Sequence, residues 1–343
     1  MTAQDRGRFV WHELLTSDPA AAERFYRAIT GWGIQPYPGQ TTYRMWTNKG
    51  TPLGGVMVLP EEAKKMGSPP HWEPYISVPD VDATVQQATS LGGRVYVQSQ
   101  DIPNVGRFAI LADPQGAVFS IFKGAGQPLG HEGPAEVGEF SWHELATTDW
   151  QGAWNFYEAL FGWVKMGSME MGPAGTYQMY GREGVMLGGM YNDTNVPKAA
   201  NWLSYVLIPS VDAAVSKVTG SGGKILHGPA DVPGGDRIAM CVDPQGAAFA
   251  LHSRAAAAAK PPAATPAAKP KAASKPKAVV RAKAAKPKAL AKSKVKAKVK
   301  AKLKKKAAAK KRPKSKARPR VKPRAKATKK KSPKRRAGAR RHR

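Results

Sequence analysis

Residues 9–32 read FVWHELLTSDPAAAERFYRAITGW, and residues 140–163 read FSWHELATTDWQGAWNFYEALFGW. Aligned without gaps, 13 of the 24 positions are identical, among them Trp11/Trp142, His12/His143, Glu13/Glu144, Asp18/Asp149, Phe25/Phe156, Tyr26/Tyr157 and Gly31/Gly162. Self-similarity of this kind means that one folding unit has been used twice, and it governs the rest of the reading. FVWHELLTSD alternates like a half-buried strand and ends at Asp18, a side chain suited to capping a helix. Ala20 to Ile29 then puts Ala21, Phe25, Ala28 and Ile29 on one helical face. Gly31 stops the helix, because glycine reaches the left-handed C-cap conformation without strain.

Working outward, TTYRMWTN, Gly50 and PLGGVMVL predict two or three short strands with turns. The unit is therefore β-α-β-β-β and ends near Leu59. After Ser68-Pro69-Pro70, WEPYISV opens another unit, with a helix from Val81 to Ser90, Gly92-Gly93, and strands RVYVQ, GRFAILAD and AVFSIF. The second half repeats it: NWLSYVLIPSVDAAV matches HWEPYISVPDVDATV, and Asp243-Pro244-Gln245-Gly246-Ala247 matches Asp113-Pro114-Gln115-Gly116-Ala117. The expected fold class is α+β. Four such units pair into two domains, residues 1–123 and 139–253, joined by a linker over 124–138. One unit carries a helix on one face of its sheet only; the other face needs cover, which pairing is expected to provide.

Charge divides the chain differently. Of 55 Lys and Arg, 38 lie from Arg254 onward, where there is no Asp or Glu; that leaves 17 against all 24 acidic residues in the first 253. The Lys/Ala/Pro composition of residues 254–343 lacks aromatic residues and is expected to be disordered on its own. Lys288 to Arg312 contains no proline, so it can turn helical once its charge is neutralised, and Pro313 would end that helix. Such a chain condenses onto polyanions by releasing their counterions. Double-stranded DNA is the expected partner. The densest basic run is Lys292, Lys294, Lys296, Lys298, Lys300, Lys302, Lys304, Lys305 and Lys306, and Ser332-Pro333-Lys334-Arg335-Arg336 lies further on. RNA or an acidic protein stays open, since charge alone does not choose among polyanions. Cys241 is the sole cysteine, which excludes an intramolecular disulfide, and its setting RIAMCVDP reads as a core strand. The N-terminus lacks a signal-peptide apolar run, and no apolar stretch approaches the roughly 20 residues of a membrane span. The expectation is a cytoplasmic, nucleoid-associated protein with no membrane partner.

A strand, a capping Asp, a helix containing Phe-Tyr, then Gly-Trp and a late Asp-Pro-x-Gly strand resemble the vicinal oxygen chelate superfamily. That superfamily includes glyoxalase I, extradiol dioxygenases, methylmalonyl-CoA epimerase and the fosfomycin and bleomycin resistance proteins. The doubled form is most similar to its two-domain glyoxalase-like branch. The tail resembles linker-histone C-terminal domains, and the Ser-Pro-Lys-Arg motif resembles those that favour narrow A/T-rich grooves. The resemblance implies a divalent ion held by His and Glu, acting on a substrate with two adjacent oxygens. It implies ligands seven residues before the capping Asp, at Trp11 and Trp142, with counterparts at Glu73 and Leu203. It implies a late glutamate four residues after Asp-Pro-x-Gly, at Ser120 and Ala250. Trp, Leu and Ala hold no metal, so no cofactor is expected; a partial site at His71 and Glu73 is the alternative.

Glu13 and Glu144 are the candidate acid or base residues, on the strand face assigned to the pocket; the alternative is a structural carboxylate. Trp11, Trp142, Met45, Met179, Tyr75 and Tyr205 are candidate lining for a flat organic ligand, or ordinary core. His12 and His143, of opposite strand parity, are expected to pack under the helix with Val10 and Leu14. Arg107 and Arg237 either clamp an anion or pair with Asp101 and Asp231, the pairing being the favoured reading. Three functional readings remain open. One is a metal-independent pocket for a small organic ligand tethered to DNA. Another is a metal-dependent lyase, hydroxylase or dioxygenase. The last is a nucleoid scaffold without catalysis.

Overall fold

The computed structural model describes residues 6–39, 42–126, 129–130, 133–172, 175–193 and 200–255. The residues expected above to bind DNA lie outside the described residues.

The opening of each half follows from its local sequence. Strand β1 (Phe9–Thr16) leads into helix α1 (Pro19–Thr30), where the Asp18 carboxylate accepts the Ala21 N–H at 3.0 Å. Pro19 begins the helix, where its missing N–H costs nothing. Gly31, at φ 77°, closes it with its N–H on the Arg27 carbonyl. Strands β2 (Gly33–Pro36), β3 (Arg44–Asn48) and β4 (Thr51–Val58) complete the unit. A short helix α2 (Glu61–Lys65), not anticipated from the sequence, precedes the next unit. That unit is β5 (His71–Ser77), α3 (Val81–Ser90), β6 (Arg94–Ile102), β7 (Gly106–Ala112) and β8 (Val118–Gly124).

The second half repeats the order: β9 (Phe140–Thr147), α4 (Trp150–Phe161), β10 (Val164–Glu170), β11 (Thr176–Arg182) and β12 (Val185–Asn192). Then come β13 (Asn201–Leu207), α5 (Val211–Gly220), β14 (Lys224–Asp231), β15 (Arg237–Val242) and β16 (Ala248–Ser253).

The four units pair into two, as expected, but not by one unit covering the sheet face of the other. Each half forms one eight-stranded mixed sheet, in the order β2-β3-β4-β1-β5-β8-β7-β6 and its equivalent β10-β11-β12-β9-β13-β16-β15-β14. The two units of a half thus join edge to edge through the antiparallel pairs β1–β5 and β9–β13. The apolar surface on the helical side is buried against the other half instead. One core gathers Ile76, Leu111 and Phe119 with Phe156, Tyr157 and Trp202; the other gathers Phe25, Tyr26 and Trp72 with Val206, Cys241 and Phe249. Neither core belongs to one half, and the described residues form a single compact unit. Cys241 is fully buried in this core, and burial pushes its thiol up to about 12, away from reactivity.

The repeated motif residues fasten the halves. The Tyr26 hydroxyl donates to Asp243 Oδ2 at 3.1 Å and accepts from Trp72 Nε1 at 2.8 Å. Tyr157 donates likewise to Asp113 Oδ2 at 3.0 Å and accepts from Trp202 Nε1 at 3.2 Å. Asp113 Oδ1 meanwhile accepts the N–H groups of Gln115 and Ala117, holding its own Asp-Pro-Gln-Gly turn. Trp32 Nε1 donates to the Gly138 carbonyl at 2.7 Å and Trp163 Nε1 to that of Gly7 at 2.8 Å. The Phe-Tyr, Gly-Trp and Asp-Pro-Gln-Gly signatures are therefore inter-half polar bonds made by otherwise buried aromatics.

Candidate functional site

Residues in register across neighbouring strands share a sheet face. On the first sheet one such row runs Met45, Gly55, Glu13, Glu73. The next holds Trp11, Tyr75 and Ser120. On the second sheet the rows are Met179, Gly189, Glu144, Leu203 and Trp142, Tyr205, Ala250. The structure thus brings the sequence-selected Trp, Met, Tyr and Glu residues together on one face of each sheet. Trp11, Met45 and Tyr75 stay half-buried, whereas Glu13 and Glu73 are 5% and 4% exposed. On this face Glu13 and Glu73 are the more deeply buried groups and Trp11, Met45 and Tyr75 the more exposed ones.

A hydrogen-bond chain links tryptophan to buried carboxyl, and it occurs twice. Trp11 Nε1 donates to the Tyr43 hydroxyl at 3.1 Å, which donates to Glu13 Oε2 at 2.8 Å. Trp142 Nε1 donates to Tyr177 at 2.8 Å, which donates to Glu144 Oε2 at 2.9 Å. Tyr43 and Tyr177 are the functional residues that the sequence reading missed. Their signal was the repeated Thr-Tyr-x-Met at 42–45 and 176–179. The glycines were a second signal: a Cβ at Gly55 would strike the Tyr43 hydroxyl and Glu13 Oε1, and one at Gly189 the Tyr177 ring.

Burial sets the chemistry of both carboxyls. Glu13 is raised to about 8 by burial, opposed by the Tyr43 and Trp11 hydrogen bonds and reinforced by the charge of Glu73. Glu144 is raised to about 7 by burial, against the Tyr177 and Tyr205 hydroxyls. Burial and the adjacent carboxyls push Tyr43 and Tyr177 far above the ordinary phenol range, so both stay donors. Burial therefore favours the protonated form of Glu13 and Glu144.

The halves are not equivalent. In the first, Ser120 Oγ donates to Glu73 Oε1, and His71 Nε2 lies 3.6 Å from Glu73 Oε2. Burial works against a charged His71, but Glu73 and the Pro69 carbonyl outweigh it and raise the ring. In the second half Leu203 and Ala250 replace Glu73 and Ser120, and Asn201 stands at the position of His71.

These residues do not fit the superfamily's metal. Among the described residues no three His, Cys, Asp or Glu side chains converge. The row positions on the second sheet offer Gly189, Leu203 and Ala250 beside a single carboxyl. A divalent ion takes more oxygen or nitrogen ligands than that.

The histidines lie elsewhere. His12 packs at the boundary between the halves rather than only beneath its own helix. Its Nε2 meets His143 Nε2 at 2.7 Å, each ring stacked at 3.6 Å on the phenylalanine of the other half's strand, Phe140 or Phe9. Burial holds both imidazoles well below their usual range, His143 down to about 3. A cavity of about 660 Å³ opens beside them, lined also by Leu53, Leu187, Met186 and Pro52. It lies on the opposite strand face from Glu13 and Glu144, whose chemistry is the more directed. Arg107 pairs with Asp101 at 2.9 Å and Asp82 at 3.1 Å, and Arg237 with Asp231 at 2.8 Å and Asp212 at 2.7 Å, so both are structural.

Residues 11–122 match the glyoxalase-like domain family, and residues 139–251 match the glyoxalase/bleomycin resistance protein/dioxygenase superfamily. "Putative glyoxylase CFP32" of Mycobacterium tuberculosis is 33% identical over 244 residues, 70% of this chain and 92% of the relative. The anthracycline biosynthesis protein DauV of Streptomyces sp. is 28% identical over 274 residues, 73% of this chain and 94% of the relative. Among solved structures, homoprotocatechuate 2,3-dioxygenase from Arthrobacter globiformis superposes with a TM-score of 0.54 at 15% identity, covering 73% of this chain and 80% of its own. At that identity the likeness is one of fold.

Proposed function

Because this chain belongs to the glyoxalase/bleomycin resistance/dioxygenase superfamily, the vicinal oxygen chelate proteins, yet offers a neutral carboxyl where a metal set is expected, we propose that its clefts bind flat aromatic carbonyl compounds without a metal. The observation that carries this reading is the duplicated chain of tryptophan, tyrosine and buried carboxyl. A protonated carboxyl donates to a carbonyl oxygen, and the Trp and Met walls take a planar ring. The anthracycline-biosynthesis name of DauV supports a planar polycyclic ligand class. The test is titration with α-tetralone, a flat aryl ketone, read by tryptophan emission. Saturable quenching is expected, weakened at least about 10-fold by Glu13→Ala together with Glu144→Ala, which remove the donor, the scale of a lost buried hydrogen bond. Quenching that is linear in ligand, or unchanged in the double variant, sinks the reading.

We further infer that residues 254–343 hold the protein on double-stranded DNA in the nucleoid. Support comes from 38 Lys and Arg with no acidic residue. Gel retardation of a random-sequence duplex by the full chain, against a chain ending at Arg254, decides it. Retardation that needs the tail and weakens steeply with salt is expected. Equal retardation by both chains, or a preference for RNA, would overturn the assignment.

A further inference from the structure

A serine, a histidine and an aspartate meet in the second half alone. Ser141 Oγ lies 2.9 Å from His252 Nδ1, and His252 Nε2 lies 2.9 Å from Asp236 Oδ2. They come from β9, β16 and the residue just before β15. The corresponding positions of the first half hold Val10, Phe122 and Gly106. Asp236 Oδ1 accepts the Ala255 N–H at 2.8 Å. Burial opposes the charge of Asp236, but that N–H, His252 and Arg254 outweigh it and hold the carboxyl below its ordinary value. A carboxylate only accepts hydrogen bonds, so Nε2 carries the ring proton. Nδ1 of the neutral ring is left as acceptor for the Ser141 hydroxyl, because one nitrogen's partner fixes the role of the other. The Tyr205 carbonyl, at 3.4 Å from Ser141 Oγ, is the poorer acceptor.

The strand places the serine unusually. Trp142 pairs with Tyr205 and Phe140 with Val206, so Ser141 is the extra residue of a bulge in β9. A bulge frees a side chain from strict alternation and re-aims it. Ser141 lines the cavity of about 660 Å³ between the halves, a size within the roughly 300–1,000 Å³ usual for small-molecule sites. Leu53, Leu187, Met186, Val185 and Pro52 share that lining and suit an apolar group. The His252 side chain is 15% exposed, so bulk water competes little for its Nδ1. The arrangement has the polarity of a nucleophile, a base and a carboxylate that fixes the tautomer of the base. Such a constellation is recognised by geometry and roles, not by chain order.

We propose that Ser141, His252 and Asp236 form an acyl-transfer site that hydrolyses carboxylic esters with an apolar acyl group. Ser141 is the nucleophile, His252 the base and then the acid, and Asp236 a positioning residue. Ser141 Oγ bonds to the ester carbonyl carbon while its proton passes to His252 Nδ1. The carbonyl π pair moves onto the oxygen and then returns, and the C–O bond to the alcohol breaks. The leaving oxygen takes the proton from His252 Nδ1. Water then attacks the acyl-serine in the same way, giving its proton to His252, which returns it to Ser141 Oγ. Ester and water become acid and alcohol, with no oxidant and no metal. Asp236 holds the proton on Nε2 throughout and does not take it. The site uses neither Glu13 nor Glu144, so it stands or falls apart from the binding reading above.

The experiment is hydrolysis of p-nitrophenyl butyrate by the full chain, followed by p-nitrophenolate absorbance, with peptide mass spectrometry of the acid-quenched protein. Wild type should turn the ester over saturably, and a butyryl group should be found on Ser141. Ser141→Ala should lose both, leaving only direct acylation of lysines. His252→Gln should lower kcat about 10²–10⁴-fold, the usual contribution of general acid–base catalysis. Asp236→Asn should lower kcat by a similar factor with KM unchanged, and Asp236→Glu should restore most of it. Contacts that merely brace β9 against β16 would give no such split and no such rescue. A urea melt of each variant shows whether it is folded; if His252→Gln is not, the two Asp236 variants decide. Butyryl groups on lysines alone, turnover retained in Ser141→Ala, or kcat unchanged in folded His252→Gln or in Asp236→Asn overturns the proposal.

Discussion

Replacing Tyr157 by Phe removes one oxygen atom and tests how the halves are joined. That hydroxyl donates to Asp113 Oδ2 at 3.0 Å and accepts Trp202 Nε1 at 3.2 Å. Asp113 is 0% exposed and Trp202 8%, so neither lost partner is replaced by bulk water. Burial already raises the Asp113 carboxyl against its backbone donors and Tyr157. Leaving a buried polar group unsatisfied costs about 1–3 kcal/mol, so two such groups cost about 2–6 kcal/mol. Tyr26→Phe should cost a similar amount, since Tyr26 makes the same bonds to Asp243 and Trp72. The assay is urea unfolding read by tryptophan emission and far-ultraviolet circular dichroism. Each variant should unfold in one transition at lower urea with an unchanged slope, because each core draws on both halves. A loss below about 0.5 kcal/mol, within the range of an ordinary surface substitution, would refute the reasoning. So would two separated transitions in which the altered half melts alone.

Gly55→Ala should abolish ligand binding in the first cleft, because its Cβ meets Tyr43 and Glu13, at about 1–3 kcal/mol of overpacking. A titration with α-tetralone and a urea melt check this, and unchanged affinity counts against the cleft. Stability should also depend on Glu13. Its native value of about 8 lies above the ordinary value of about 4.3, so the native state alone holds this proton between those limits. That contribution is complete below about pH 4.3 and is lost as pH rises through 8. Glu13→Gln removes the dependence, so its stability relative to wild type should improve from pH 5 to pH 9 in urea melts. A difference that is constant with pH contradicts the assignment.

Local structure was legible where local chemistry decides it. Asp18 and Gly31 mark α1 to within a residue, and Val81 to Ser90 is the observed α3. Strand parity was enough to put Trp11, Glu13 and Tyr75 on one face and His12 on the other. What the sequence did not reveal is long-range. The partner of His12 lies 131 residues away, and that of Tyr26 lies 217 away. No periodicity within one unit indicates whether its apolar helical side meets the adjacent unit or the other half. Tyr43 stands one residue ahead of β3, outside the strand alternation that selects Met45. Its hydroxyl, not the Met45 thioether, completes the polar chain to Glu13.

The proposed clefts require Glu13 and Glu144 to be protonated on the sheet face where the superfamily's metal set is expected. Infrared difference spectroscopy of the carboxylic-acid C=O stretch tests it most directly. The account predicts acid bands at pH 6 that titrate near pH 8 for Glu13 and near pH 7 for Glu144. Each band should disappear in the matching Glu→Gln variant. Ionised carboxylates at both positions at pH 6, or acid bands that vanish on adding one equivalent of Mn²⁺ or Zn²⁺ per half, would contradict it.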